Sequence, residues 1–185
     1  MTLSWLPNAI CVLRLALVPP LVLLLLAERF DAALALFVIA GGSDAVDGFL
    51  AKRFGWRTRL GSLLDPAADK LLLVSVFMTL AHLGLVPLAL AVIVVGRDVV
   101  IVLGALAYQF LVAPVEGQPM GVSKLNTACQ LLFVLLTMTN AEYGLPDASV
   151  LIALGAAVVF TSITSGLGYV LGWSRRAWQA THVTP

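Results

Sequence analysis

Residues 43–70 read SDAVDGFLAKRFGWRTRLGSLLDPAADK. This stretch holds four aspartates and five lysines or arginines, close to half of all the charge in the chain. The remainder is a different material. Of 185 residues, 61% are hydrophobic and 11% charged, where a soluble domain has about 25% charged residues. The apolar runs on both sides of the quoted stretch make an integral membrane protein the expected class, with its chemistry concentrated in the charged segment. Acids and bases nearly cancel at a formal +1, so no general electrostatic binding to nucleic acid is expected.

A membrane-crossing helix needs about 20 predominantly apolar residues. Six segments qualify: 9–27, 30–50, 62–83, 86–112, 122–139 and 148–173. The intervening stretches ERFD, KRFGWRTRLG, HLGLVP, APVEGQPMG and NAEYGLPDA carry charge, proline or glycine, the residues of breaks and turns. The apolar run from Ala9 is too long for the h-region of a cleavable signal and has no small-residue cleavage site. Lys52, Arg53, Arg57 and Arg59 lie between the second and third segments, Arg175 and Arg176 follow the sixth, and the opposite side has only Arg29. This asymmetry predicts that both termini and the charged stretch face the cytoplasm. Trp5, Trp173 and Trp178 fit interfacial anchors. Cys11 and Cys129 fall in apolar runs without metal-ligand spacing and read as buried thiols. The expected fold is all-α, a six-transmembrane-helix bundle with both termini cytoplasmic.

Asp44 and Asp47 are three residues apart and share one face of a continuous helix, with Gly48 and Ala51 on the same stripe. Gly61, Asp65 and Asp69 repeat the arrangement at spacing four on the next segment. Two antiparallel helices would point four carboxylates at one another across a gap lined by small residues. Like charges so placed resist ionising together unless compensated. Divalent cations supply that compensation, and oxygen-only ligands without histidine or cysteine suit Mg²⁺ or Mn²⁺ rather than zinc. Two such ions could polarise a phosphoryl group and stabilise a leaving oxygen. Two other readings stay open at this point: pairing of the aspartates with nearby bases in a solvated loop, and an ion-translocation site in a small cation or proton transporter.

The pattern D-x-x-D-G-x-x-A-K-x8-G-x-x-x-D-x-x-x-D, Asp44 to Asp69, resembles the signature of the CDP-alcohol phosphatidyltransferases. Every spacing fits, and Lys52 stands where that family usually has arginine. The resemblance implies one membrane domain over residues 1–185, usually a homodimer in the lipid bilayer, with a polar site open to the cytoplasm. It implies two Mg²⁺ or Mn²⁺ ions, one held by Asp44, Asp47 and Asp65 and the other by Asp44, Asp65 and Asp69, with Asp69 also the general base. Gly48 and Gly61 then lie beside the cytidine nucleotide, Lys52 and Thr58 near the diphosphate, and Ala51 in the same CDP-lipid-binding set. LPNAICVLR, residues 6–14, is similar to the family's P-N-x-x-T-x-x-R and adds Asn8 to that set, with Cys11 in place of the threonine.

Two polar spots interrupt later apolar runs. Arg97 and Asp98 lie within VVGRDVVIV, and Lys124, Asn126, Thr127 and Gln130 within VSKLNTACQLL. Charges at such depth default to function, and Arg97 and Lys124 are the cations expected to bind an anionic acceptor's phosphate. Two alternatives stay open: a structural partner for an aspartate at Arg97, and a snorkelling interface residue at Lys124. Within the family, GRDVVIV and SKLNTACQ look most like the cardiolipin synthase and phosphatidylglycerophosphate synthase branch. The expected reaction transfers a phosphatidyl group from CDP-diacylglycerol to phosphatidylglycerol, giving cardiolipin and CMP, with glycerol 3-phosphate the alternative acceptor. A chain this short points to a bacterial inner (plasma) membrane. The transporter reading needs polar residues through the outer half of the molecule, where helices one, three and six offer only scattered serines and threonines.

Overall fold

A computed structural model of the chain describes the backbone of residues 6–54, 59–111 and 121–182, and the side chains of 11–43, 68–104, 121–172 and Ser174. The described residues form six helices and no strand: α1 Leu6–Leu26, α2 Phe30–Phe54, α3 Arg59–His82, α4 Leu88–Leu111, α5 Gly121–Tyr143 and α6 Ala148–His182. Each expected apolar segment falls on one helix. Several of these run beyond the expected segment at their polar ends. Helix α2 runs on through Lys52 and Arg53 to Phe54, and α6 runs past Trp173 to His182. Hydropathy marks where an apolar run stops, whereas alanine, lysine and arginine continue a helix beyond that point at little conformational cost.

Helix α1 contains Pro19 and Pro20, which leave the carbonyls of Leu15 and Ala16 without their usual helical donors. Its end is a Schellman motif, in which the Glu28 N–H donates to Leu25 O at 2.9 Å and the Arg29 N–H to Leu24 O at 2.9 Å. Glu28 occupies the left-handed position at φ 56°, where glycine is usual. Helix α3 ends the same way with the usual residue: Gly84 has φ 74°, and the Leu85 N–H donates to Leu80 O at 3.0 Å.

The chain divides into two compact units: residues 1–88 with 134–147, and 89–133 with 148–185. Within the first, α1 packs against both α2 and α3. Its buried stripe is Cys11, Arg14, Val18, Leu21 and Leu25, at alternating spacings of three and four that keep one seam facing its neighbours. Ala33, Phe37 and Ala40 of α2 and Ala68, Leu72, Leu73, Val76, Phe77 and Leu80 of α3 complete this core. Within the second unit, α4 contributes Leu90, Ala91 and Val94, and Gly155 of α6 permits close packing. A Cβ there would lie 3.2 Å from Leu90 Cδ1 and 3.3 Å from Phe133 Cε2.

Many large apolar side chains point outward, among them Leu13, Leu23, Ile39, Leu103, Ile152 and Phe160. Helices apolar on outer as well as inner faces suit a lipid environment. Among the described residues, α5 and residues 148–172 of α6 are long and apolar enough to cross a membrane, and shorter apolar stretches occupy 11–26 and 30–43. Neither cysteine forms a disulfide; Cys11 is buried as expected, while Cys129 is only half-buried.

Candidate active site

The first unit carries the aspartates. Asp44, Asp47, Gly48, Ala51 and Lys52 lie on the unbroken helix α2, so their spacings of three, four, seven and eight from Asp44 put them along one face. Gly61, Asp65 and Asp69 lie on α3, one turn apart from one to the next. The side chains of Asn8 on α1, of Asp44, Asp47 and Lys52, and of Asp65 are outside the described residues, as is the whole of Thr58.

Asp69 is described, and one of its partners comes from α1. Arg14 donates from Nη1 to Asp69 Oδ1, an ion pair between residues 55 apart in sequence. The Arg14 side chain is 0% exposed and that of Asp69 41%. The carboxylate therefore sits at the rim of the α1–α3 core, with a buried guanidinium holding one of its two oxygens. The residue types suit a hard divalent cation: the signature positions on the two helices are aspartates at spacings of three and four, with no histidine or cysteine among them.

Arg14 was not singled out as a functional residue by the sequence. A signal existed, because the alternation of three and four along α1 places position 14 on the buried stripe. A charge on a buried stripe has to be paired.

In the second unit, Arg97 and Asp98 are both buried. Arg97 Nη1 donates to Asp98 Oδ1 at 2.5 Å, and Nη2 donates to Ser123 Oγ at 2.6 Å and Ser165 Oγ at 2.7 Å. One side chain thus links α4, α5 and α6. One turn along, Asn126 Oδ1 accepts from Thr161 Oγ1 and Ser162 Oγ, each at 2.9 Å. Moving forward on α5 from Ser123 to Asn126 moves backward on α6 from Ser165 to Ser162, so the two helices run antiparallel here. Lys124, next to Ser123, is exposed. The two cations assigned to the acceptor phosphate thus share a unit but differ in setting: Arg97 is enclosed by hydrogen bonds, and Lys124 reaches outward. The roles of Ser123 and Ser165 were not legible in the sequence, since a serine in an apolar helix gives no sign of its partner.

Comparison with known proteins agrees with the signature. The family model for CDP-alcohol phosphatidyltransferase matches residues 4–164, which run through both units. Cardiolipin synthase (CMP-forming) of Rattus norvegicus is 30% identical over 179 residues, covering 88% of this chain and 59% of the relative. That of Homo sapiens is also 30% identical over 179 residues, with 88% and 60% covered. This chain therefore spans about three-fifths of the length of these two. CDP-diacylglycerol–glycerol-3-phosphate 3-phosphatidyltransferase of Bacillus subtilis (strain 168) is 31% identical over 184 residues, covering 89% of this chain and 92% of the relative. With the spacing of the signature kept on two consecutive helices and the family match running over most of its length, the chain belongs to the CDP-alcohol phosphatidyltransferase family.

Proposed function

We propose that the chain transfers a phosphatidyl group from CDP-diacylglycerol to a glycerol-containing alcohol with release of CMP. The observation that carries this reading is the signature itself, with Asp44 and Asp47 on one face of α2 and Asp65 and Asp69 on one face of α3. The acceptor we assign is phosphatidylglycerol, which gives cardiolipin. Glycerol 3-phosphate is the second reading, supported by the Bacillus subtilis relative, whose name carries that acceptor.

Asp44, Asp47, Asp65 and Asp69 would hold two Mg²⁺ or Mn²⁺ ions. When bound, such ions neutralise diphosphate charge and stabilise the departing oxygen. Asp69 accepts the proton of the acceptor hydroxyl as its oxygen attacks the phosphorus bearing diacylglycerol. The bond from that phosphorus to the CMP oxygen breaks, and CMP leaves with the electron pair. Asn8, Gly48, Ala51, Lys52, Thr58 and Gly61 are assigned to the CDP-lipid, the glycines leaving space for close approach to the backbone. Lysine at 52 keeps the positive charge of the usual arginine but not its planar fork. Arg97 and Lys124 are assigned to the acceptor phosphate.

We further propose one domain over 1–185 in which all six helices cross the membrane, both termini and the aspartates on the cytoplasmic side, in a bacterial inner membrane and as a homodimer. The outward apolar side chains and the lysine and arginine asymmetry support the membrane arrangement. The functional test is incubation of the purified protein with CDP-diacylglycerol and Mg²⁺, adding phosphatidylglycerol or glycerol 3-phosphate in separate reactions. Cardiolipin and CMP from the first support the assignment. Phosphatidylglycerophosphate from the second at a comparable rate replaces it with the second reading. Failure of both acceptors overturns it.

A further inference from the structure

Arg14 is the one feature of the α1 core stripe that apolar packing does not explain. Cys11, Val18, Leu21 and Leu25 fill the other positions of that stripe. A guanidinium at 0% exposure among them is retained against a desolvation penalty that any aliphatic residue would avoid. An anionic partner it holds is no arbitrary surface acid but Asp69, the last carboxylate of the signature. The helix that carries Arg14 also packs on both aspartate-bearing helices, α2 and α3. A side chain anchored in that helix fixes a carboxylate of α3 relative to a frame shared with α2.

We infer that Arg14 is a positioning residue for the reaction: it holds Oδ1 of Asp69 and so sets the direction in which the carboxylate presents its second oxygen to a divalent cation and to the acceptor hydroxyl. This rests on the proposed phosphatidyl transfer and deepens it. Partners that orient a ligating carboxylate typically change metal affinity or activity by about 10–100-fold when removed. A purely structural ion pair would instead show its loss in stability, leaving the catalytic constants of the surviving folded protein alone. Arginine is suited to the role because its delocalised charge sits on a planar fork with several fixed donors, whereas lysine offers a shorter point charge.

The test uses the full-length protein purified in detergent, as wild type, Arg14→Gln and Arg14→Lys. Three quantities are read for each: kcat and KM for CDP-diacylglycerol, Mn²⁺ affinity from the signal of free Mn²⁺ in electron paramagnetic resonance, and melting temperature. Arg14→Gln is expected to lower kcat about 100-fold and to weaken Mn²⁺ binding about tenfold, with KM changed less than threefold. Arg14→Lys is expected to keep an intermediate kcat, between about a tenth and a third of wild type, at an unchanged melting temperature. Folded Arg14→Gln with kcat and Mn²⁺ affinity within threefold of wild type overturns the inference while leaving the reaction assignment intact. If Arg14→Gln does not fold, Arg14→Lys decides: intermediate kcat at wild-type melting temperature supports the inference, and wild-type kcat contradicts it. Wild-type protein that neither binds Mn²⁺ nor releases CMP overturns the reaction assignment and this inference together.

Discussion

A neutral amide can keep the shape of an aspartate but not its charge, and the four signature aspartates are predicted to depend on that difference in two ways. Asp44→Asn, Asp47→Asn and Asp65→Asn should each reduce CMP release by ~10²-fold or more, the scale on which removal of one stabilising group at a reacting centre acts. Asp69→Asn should do the same and also lower the melting temperature, because Arg14 would lose an anionic partner. Removing one member of a buried ion pair costs about 3–5 kcal/mol. With the Asp69 side chain 41% exposed, screening brings this to roughly 1–2 kcal/mol. Thermal denaturation of the four variants side by side checks the point, and equal melting temperatures for Asp69→Asn and Asp44→Asn would contradict it. Arg97 and Lys124 should separate in the same assay. Arg97→Ala removes hydrogen bonds to Asp98, Ser123 and Ser165 that tie three helices together, so stability should fall along with activity. Lys124→Ala, at an exposed position, should raise KM for the acceptor and leave the melting temperature unchanged. The aspartates were legible in the sequence because their spacing repeats on consecutive segments. The roles of Ser123 and Ser165 were not, and Arg14 could be placed on a buried stripe but not paired with Asp69, because helical periodicity names the face a residue occupies and never the residue across from it.

Helix ends offer a contrast within one molecule. Glu28 and Gly84 occupy the same left-handed position after α1 and α3, at φ 56° and φ 74°. A side chain in that conformation costs about 1 kcal/mol that glycine avoids. Glu28→Gly should therefore stabilise the protein by up to about 1 kcal/mol, and Gly84→Ala should destabilise it by a similar amount. Paired denaturation curves in one detergent measure both, and a stabilising Gly84→Ala would contradict the argument. The existence and order of all six helices could be read from the apolar runs, Pro19 and Pro20 notwithstanding. Their polar ends could not. The stretch from Lys52 to Gly61 reads as a connection by hydropathy, yet α2 reaches Phe54 and α3 begins at Arg59. Alanine, lysine and arginine have high helix propensity whether or not the surroundings are apolar, so a helix can outlast the apolar run that announces it.

Over the whole molecule, the family match from residue 4 to 164 gives the six helices a common identity that their apolar character alone does not. Apolar runs would serve a transporter equally well; the glycine and aspartate spacing is what separates the readings. The proposed orientation has its own check. With the native cysteines replaced, a cysteine near Arg57 should resist an impermeant thiol reagent in intact cells, and one at Tyr143, an exposed residue at the end of α5, should be labelled. The reverse pattern would put the aspartates on the outer side of the membrane and contradict the topology. The central claim is phosphatidyl transfer at the aspartate-bearing helices. Its most direct measurement is CMP and lipid product formed by purified wild-type and Asp44→Asn protein from CDP-diacylglycerol, Mg²⁺ and phosphatidylglycerol, with and without excess EDTA. The account predicts cardiolipin and equimolar CMP from wild type alone, abolished by EDTA and restored by added Mg²⁺. Undiminished product from Asp44→Asn, or from wild type in excess EDTA, would contradict it.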